Sequence, residues 1–95
     1  MVVGVCQVEL LFHENFSLKG KRQILRSIIE RARKRFNISI AEVEDHDLWQ
    51  KGIVGIVAVG NDRKVVNSIL DQVMNFIEGT HLADVADAQI EIANY

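Results

Sequence analysis

The chain has 95 residues, 48% of them hydrophobic and 25% charged, with a formal net charge of −2. That is the size and balance of one globular domain with a modest core and leaves no room for a second domain, and the sequence contains no run of about 18 apolar residues that could span a membrane. The lone cysteine, Cys6, excludes an internal disulfide, and the opening "MVVGVCQVELLF" lacks the basic start and cleavage site of a signal peptide, so a cytoplasmic setting is expected.

Val2 to Phe12 is rich in β-branched and large apolar residues, with Gln7 and Glu9 two apart, and reads as a strand with one partly polar face. His13 to Phe16 makes a polar connection, and Ser17 is the expected N-cap of a first helix. In that helix Leu18, Leu25, Ile28, Ile29, Ala32 and Phe36 recur near a 3.6-residue period, while Lys19, Arg22, Arg26 and Arg33 fall opposite. Asn37 is expected to end it, and Ile38 to Glu44 alternates as a second strand. Asp45 to Gly52 is the following loop, and "IVGIVAVG", Ile53 to Gly60, is apolar enough for a central strand. Asn61 or Asp62 caps a second helix whose buried stripe is Val65, Val66, Ile69, Leu70, Val73, Met74 and Ile77, and Gly79 is expected to stop it. Asp84 to Asn94 alternates as the last strand, with Ala86, Ala88, Ile90 and Ile92 on one side and Val85, Asp87, Gln89 and Glu91 on the other.

The order βαββαβ defines an α+β chain whose simplest solution is a ferredoxin-like sandwich, a four-stranded antiparallel sheet of order 4-1-3-2 with both helices on one face. The whole chain, residues 1–95, is then a single domain. The other sheet face has no helix over it. An apolar central strand beneath an uncovered face points to a cover, either a second subunit, the loop bearing Trp49 or a ligand. Val5, Val57, Asp47 and Trp49 are therefore the expected partner or dimer contacts.

Charge is unevenly divided along the chain. Ser17 to Asn37 holds eight Lys and Arg against one acid, Glu30, whereas the remainder holds three basic residues against twelve acids. A polyanion site on the first helix would use Lys19, Lys21 and Arg22 in the first turn, where free N–H groups favour a phosphate, and Arg26, Arg33, Lys34 and Arg35 along the axis. Gly20 would let a phosphate backbone come close. The competing interpretation is a solvated face whose stems cover apolar surface, or one paired with acids elsewhere in the chain. Basic side chains in a first turn oppose the helix dipole by a few tenths of a kcal/mol each, a small repeated cost that tips the balance toward function. Paired sheet aromatics and a GxxxxGK[ST] loop are both absent, so RNA contact would run through backbone and shape.

In "EDHDLWQKG" the acids and His46 are consecutive and point in different directions, so neither a metal nor a cofactor is expected; the simplest roles are a turn cap for Asp47 and packing for Trp49. Glu9 and Glu91 are candidates to face each other across neighbouring strands. His13 and His81 read as ordinary loop residues. No nucleophile, base and orienting group are recognisable together, so no catalytic residues and no enzyme are expected. The phosphate loop of the acylphosphatases, which share this size and strand order, has no counterpart in "LLFHENFSL".

"SLKGKR", "FNISIAEVEDHDLWQ" and "VAVGNDRKVVNSILDQV" resemble the YlxP-like family of small bacterial domains of unknown function over essentially the whole chain. The resemblance implies a ferredoxin-like fold, a bacterial cytoplasmic protein and the genomic company of translation and ribosome-maturation factors, with no established activity and no catalytic residues. Together these readings lead to a non-catalytic domain that docks RNA or a ribosomal subunit on its basic first helix. The alternative is an interaction or small-ligand regulatory module that dimerises through the open sheet face.

Overall fold

A computed structural model describes residues 1–95. The elements are β1 (Val2–Leu11), α1 (Leu18–Arg35), β2 (Ser39–Glu44), β3 (Lys51–Gly60), α2 (Arg63–Gly79) and β4 (Asp84–Asn94). The strands form one antiparallel sheet in the order β2-β3-β1-β4, which is the expected ferredoxin-like α+β arrangement.

Alternation in the two central strands defines the core. Val2, Cys6, Val8 and Leu10 of β1 and Val54, Ile56 and Ala58 of β3 are buried toward the helices. Leu25, Ile28 and Ala32 of α1 and Val66, Leu70, Val73 and Ile77 of α2 meet them. Each fully buried Val, Leu or Ile contributes about 1.5–3 kcal/mol relative to exposure, so these side chains dominate the favourable side of folding. Helix α2 rests directly on the β1 backbone: a Cβ at Gly4 would lie 2.5 Å from Val66 Cγ1 and 2.8 Å from Leu70 Cδ1.

Several local details differ from the sequence expectation. The β1–β4 register shifts between Glu9 and Leu10, so that Glu9 lies opposite Asp87 while Leu10 lies opposite Val85. This bulge skips Ala86 and turns Val85 against the core, which a strict period of two does not anticipate. Glu91 accordingly faces Val5, and the carboxylate across from Glu9 is Asp87. A second irregularity, at Val43, places Glu42 opposite Val54 and Glu44 opposite Ile53.

The helix ends also differ. Gly79 is still helical, and α2 stops at Thr80 and His81 instead. Thr80 Oγ1 donates to Ile77 O at 2.7 Å, and His81, at φ 55°, takes the left-handed conformation that turns the chain away. Helix α1 ends without such a residue: Phe36 leaves it in extended backbone, donating its N–H to Ala32 O, so Asn37 is not the stop. Val65 is exposed beside the buried α2 stripe. No helix is long and apolar enough to cross a membrane.

Candidate nucleic-acid interface

The basic stretch begins at a well-made helix start. Ser17 is extended, and its Oγ accepts the Gly20 N–H at 2.9 Å. The side-chain amide of Asn15 donates to Ser17 O at 2.8 Å and to Trp49 O at 2.6 Å, tying the β1–α1 connection to the β2–β3 loop. Gln50 Nε2 returns a bond to Asn15 O at 3.0 Å. Gly20 is needed because the Asn15 carboxamide lies where its Cβ would stand. The space expected for an approaching phosphate backbone is thus filled by the protein itself.

Lys21 corrects the sequence reading. It is fully buried, and its ammonium donates to Asp45 O at 2.6 Å and Lys51 O at 3.0 Å, with His46 O at the edge of reach at 3.5 Å. Glu42 Oε2 lies 3.1 Å from the same nitrogen and makes an ion pair with it, although the directions are too poor for a hydrogen bond. Lys21 is therefore an internal cation that holds the β2–β3 loop, where Asp45 adopts φ 62°, against the first turn of α1. It does not meet solvent and cannot contact a phosphate. The sequence carried the signal, since Lys21 stands four residues before Leu25 and seven before Ile28, on the apolar stripe.

The other cations of the stretch are exposed. Lys19, Arg22, Arg26, Arg33, Lys34 and Arg35 all reach solvent, and none forms an ion pair with a carboxylate; the ion pairs in the molecule are His13–Asp84, Lys21–Glu42, Lys51–Glu9 and Lys51–Asp45. Lys19, Arg22, Arg26 and Arg33 share one outer ridge by helical spacing, with Lys34 beside it. Lys19 to Lys34 spans about 22 Å at 1.5 Å per residue, enough to meet several phosphates. Arg33 also donates from Nη2 to Ile40 O of the edge strand at 3.0 Å. The last-turn residues Arg33, Lys34 and Arg35 complement the negative end of the helix dipole, while no acid relieves the first turn. Lys19, Arg22 and Arg26 have neither an ion-pair partner nor a place in the last turn.

Arg35 leaves the ridge. Its guanidinium carbon lies 5.4 Å from the Phe76 ring centroid and 5.9 Å from that of Phe36, over an edge-to-face aromatic pair 5.8 Å apart. Arg31, one turn earlier on the same flank, was not singled out by the sequence pattern, because only the packing of α2 beside α1 gives that flank a neighbour.

The expected partner contacts fall in two places. Val5 and Val57 are directly opposite each other on the open sheet face, each 40% exposed, with Val43 and Val59 also exposed there. Trp49 and Leu48 are exposed at the end of the sheet and leave Val5 and Val57 uncovered. Asp47 makes no hydrogen bond; the turn is closed by Leu48 N–H donating to Asp45 O at 3.1 Å. His, Cys, Asp and Glu side chains do not converge in threes anywhere in the fold.

Comparison with known proteins gives the family. Residues 3–90 match the family described as "Protein of unknown function (DUF503)". The chain is 35% identical over 77 residues to the uncharacterized protein YlxP of Bacillus subtilis (strain 168), covering 81% of this chain and 84% of that protein. Among solved structures it is similar to the de novo designed protein Foldit4, with a TM-score of 0.55 at 11% identity over 100% of this chain and 99% of the other, a likeness of fold alone. The chain belongs to the DUF503 family.

Proposed function

We propose that this DUF503 member is a non-catalytic binding domain that docks RNA, free or in a ribosomal subunit, on the exposed ridge of α1. The observation that carries this reading is the row of solvent-facing cations on α1 without carboxylate partners, in a chain whose remaining charge is acidic. Unpaired cations along about 22 Å of helix attract phosphates, and the acidic surface elsewhere disfavours wrong orientations. Lys19, Arg22, Arg26, Arg33 and Lys34 form the footprint, with Lys21 holding the turn that presents it. Five phosphate contacts give a slope of log affinity against log salt of about −3 to −4 for single-stranded RNA. Binding should then weaken roughly 100-fold between about 50 and 200 mM salt.

The test is binding of the purified protein to bulk RNA and ribosomal subunits across a salt series, beside a Lys19→Glu, Arg22→Glu, Arg26→Glu variant. Salt-dependent binding lost in the variant supports the reading. Absence of wild-type binding at low salt overturns it.

A second reading is favoured by one observation, the exposed Val5–Val57 pair at the centre of the uncovered sheet face. A second copy of the chain apposed there would bury that pair and the neighbouring Val43 and Val59. Sedimentation across a concentration series decides it: self-association insensitive to salt and abolished by Val57→Asp supports the dimer, and a monomer at all concentrations removes it.

A further inference from the structure

The C-terminal ends of α1 and α2 enclose a groove of about 600 Å³ whose chemistry differs from the rest of the surface. Arg31, Arg35 and Phe36 line it from α1, and Gln72, Asn75 and Phe76 from α2. That volume is within the range of small-molecule sites. No carboxylate lines it, in a molecule that is acidic outside α1. Two arginines without carboxylate partners line it, Arg31 and Arg35, and Arg35 lies over an edge-to-face aromatic pair. Arg35 lines the groove with its guanidinium carbon within cation–π reach of both rings, 5.4 Å from the Phe76 centroid and 5.9 Å from that of Phe36. The Asn75 amide has no intramolecular partner, and Gln72 donates to Ser68 Oγ at 3.1 Å, leaving its carbonyl oxygen free to accept.

A planar cation on aromatic rings, a second guanidinium beside it and two amides offering donors and acceptors match the three parts of a nucleotide. A base stacks on guanidinium or aromatic planes, its edge bonds to amides, and its phosphate takes an arginine. We infer that the groove between the ends of α1 and α2 seats one unpaired nucleotide, its base against the Arg35–Phe36–Phe76 cluster and its phosphate on Arg31. This rests on the RNA reading for the source of that nucleotide: by helical spacing Lys34 lies between the ridge and Arg31, so one strand passes from the ridge into the groove. The ridge supplies affinity for any RNA, and the groove supplies preference for a single strand, because a base in a duplex is not free to enter.

The test is an amide-resolved NMR titration of the intact protein with adenosine 5′-monophosphate, uridine 5′-monophosphate and inorganic phosphate. It is run beside RNA binding with a single strand and a duplex of equal length, for wild type and for Asn75→Ala and Phe76→Leu variants whose spectra show them folded. The nucleotides should shift the amides of Arg31 to Phe36 and Gln72 to Phe76 saturably, and inorganic phosphate should not reproduce the pattern. Both variants should bind the single strand about tenfold more weakly with an unchanged salt slope, and the duplex as before. Nucleotide shifts absent from the groove, or matched by inorganic phosphate, overturn the inference. Variants that keep the single-strand preference overturn it while the ridge reading stands. Wild-type protein that binds mononucleotides in the groove but no RNA overturns the ridge and assigns the seat to a free nucleotide.

Discussion

Lys21 Nζ lies 3.1 Å from Glu42 Oε2, with the lysine side chain wholly excluded from solvent and the glutamate side chain 17% exposed. The same ammonium holds the carbonyls of Asp45 and Lys51. One cation thus joins the first turn of α1 to strand β2 and to both ends of the β2–β3 loop, and removing it strands a carboxylate and two acceptors. Lys21→Met should cost about 3 kcal/mol, the scale for breaking a largely buried pair by deleting one partner. Lys19→Met, on the exposed ridge, should change stability by no more than about 0.5 kcal/mol. Urea unfolding of the two variants checks this, and equal effects would remove Lys21 from its structural role. Adding Glu42→Leu to Lys21→Met should recover part of the loss.

Gly20→Ala sets two effects against each other. Alanine is better than glycine inside a helix by about 1 kcal/mol, but its Cβ displaces the Asn15 carboxamide and with it the bonds to Ser17 O and Trp49 O. Two hydrogen bonds at about 1 kcal/mol each outweigh the propensity gain, so a net loss of about 1 kcal/mol is expected. In an Asn15→Ala background the same substitution should stabilise. Denaturation midpoints of the four proteins in this cycle decide the sign.

Gly4→Ala tests how closely α2 lies on β1. The added methyl meets Val66 and Leu70 in the core, and overpacking of this kind costs about 1–3 kcal/mol. Thermal unfolding should show the drop. A variant as stable as wild type would mean that α2 moves away without penalty.

Cys6 makes stability fall at alkaline pH. Burial raises the thiol pKa, and the negative charge of Asp71 adds to the shift. The folded state therefore keeps the proton more tightly than the unfolded state does. This contribution is complete below the unfolded thiol pKa of about 8.5 and is lost as pH rises through that value toward the folded one. Lys51, raised by Glu9 and then Asp45, acts with the same sign at higher pH. Melting temperatures should decline above about pH 8.5 more steeply for wild type than for Cys6→Ala. Parallel pH profiles for the two proteins would contradict this role of Cys6.

Element order, strand polarity and most of the core were legible in the chain because period two and period 3.6 are backbone properties that each segment carries alone. The βαββαβ order with its crossovers placed β1 and β3 at the centre, the apolar run "IVGIVAVG" fitted that place, and Leu25, Ile28 and Ala32 defined the buried face of α1. The same periodicity also placed Lys21 on that face, yet lysine chemistry outweighed position while no internal partner was visible. Val85 was misplaced because a bulge changes phase without changing composition.

The sequence by itself determined a four-stranded sheet, two amphipathic helices and a segregated charge, since each follows from spacing within a single segment. Tertiary structure decided which cations are free. Lys21 meets the carbonyls of a loop some 24 to 30 positions away, and the Arg35 guanidinium lies against Phe76 of the other helix as well as Phe36. Such partners depend on how the helices and loops close over the sheet, and local spacing carries no record of distances across the fold.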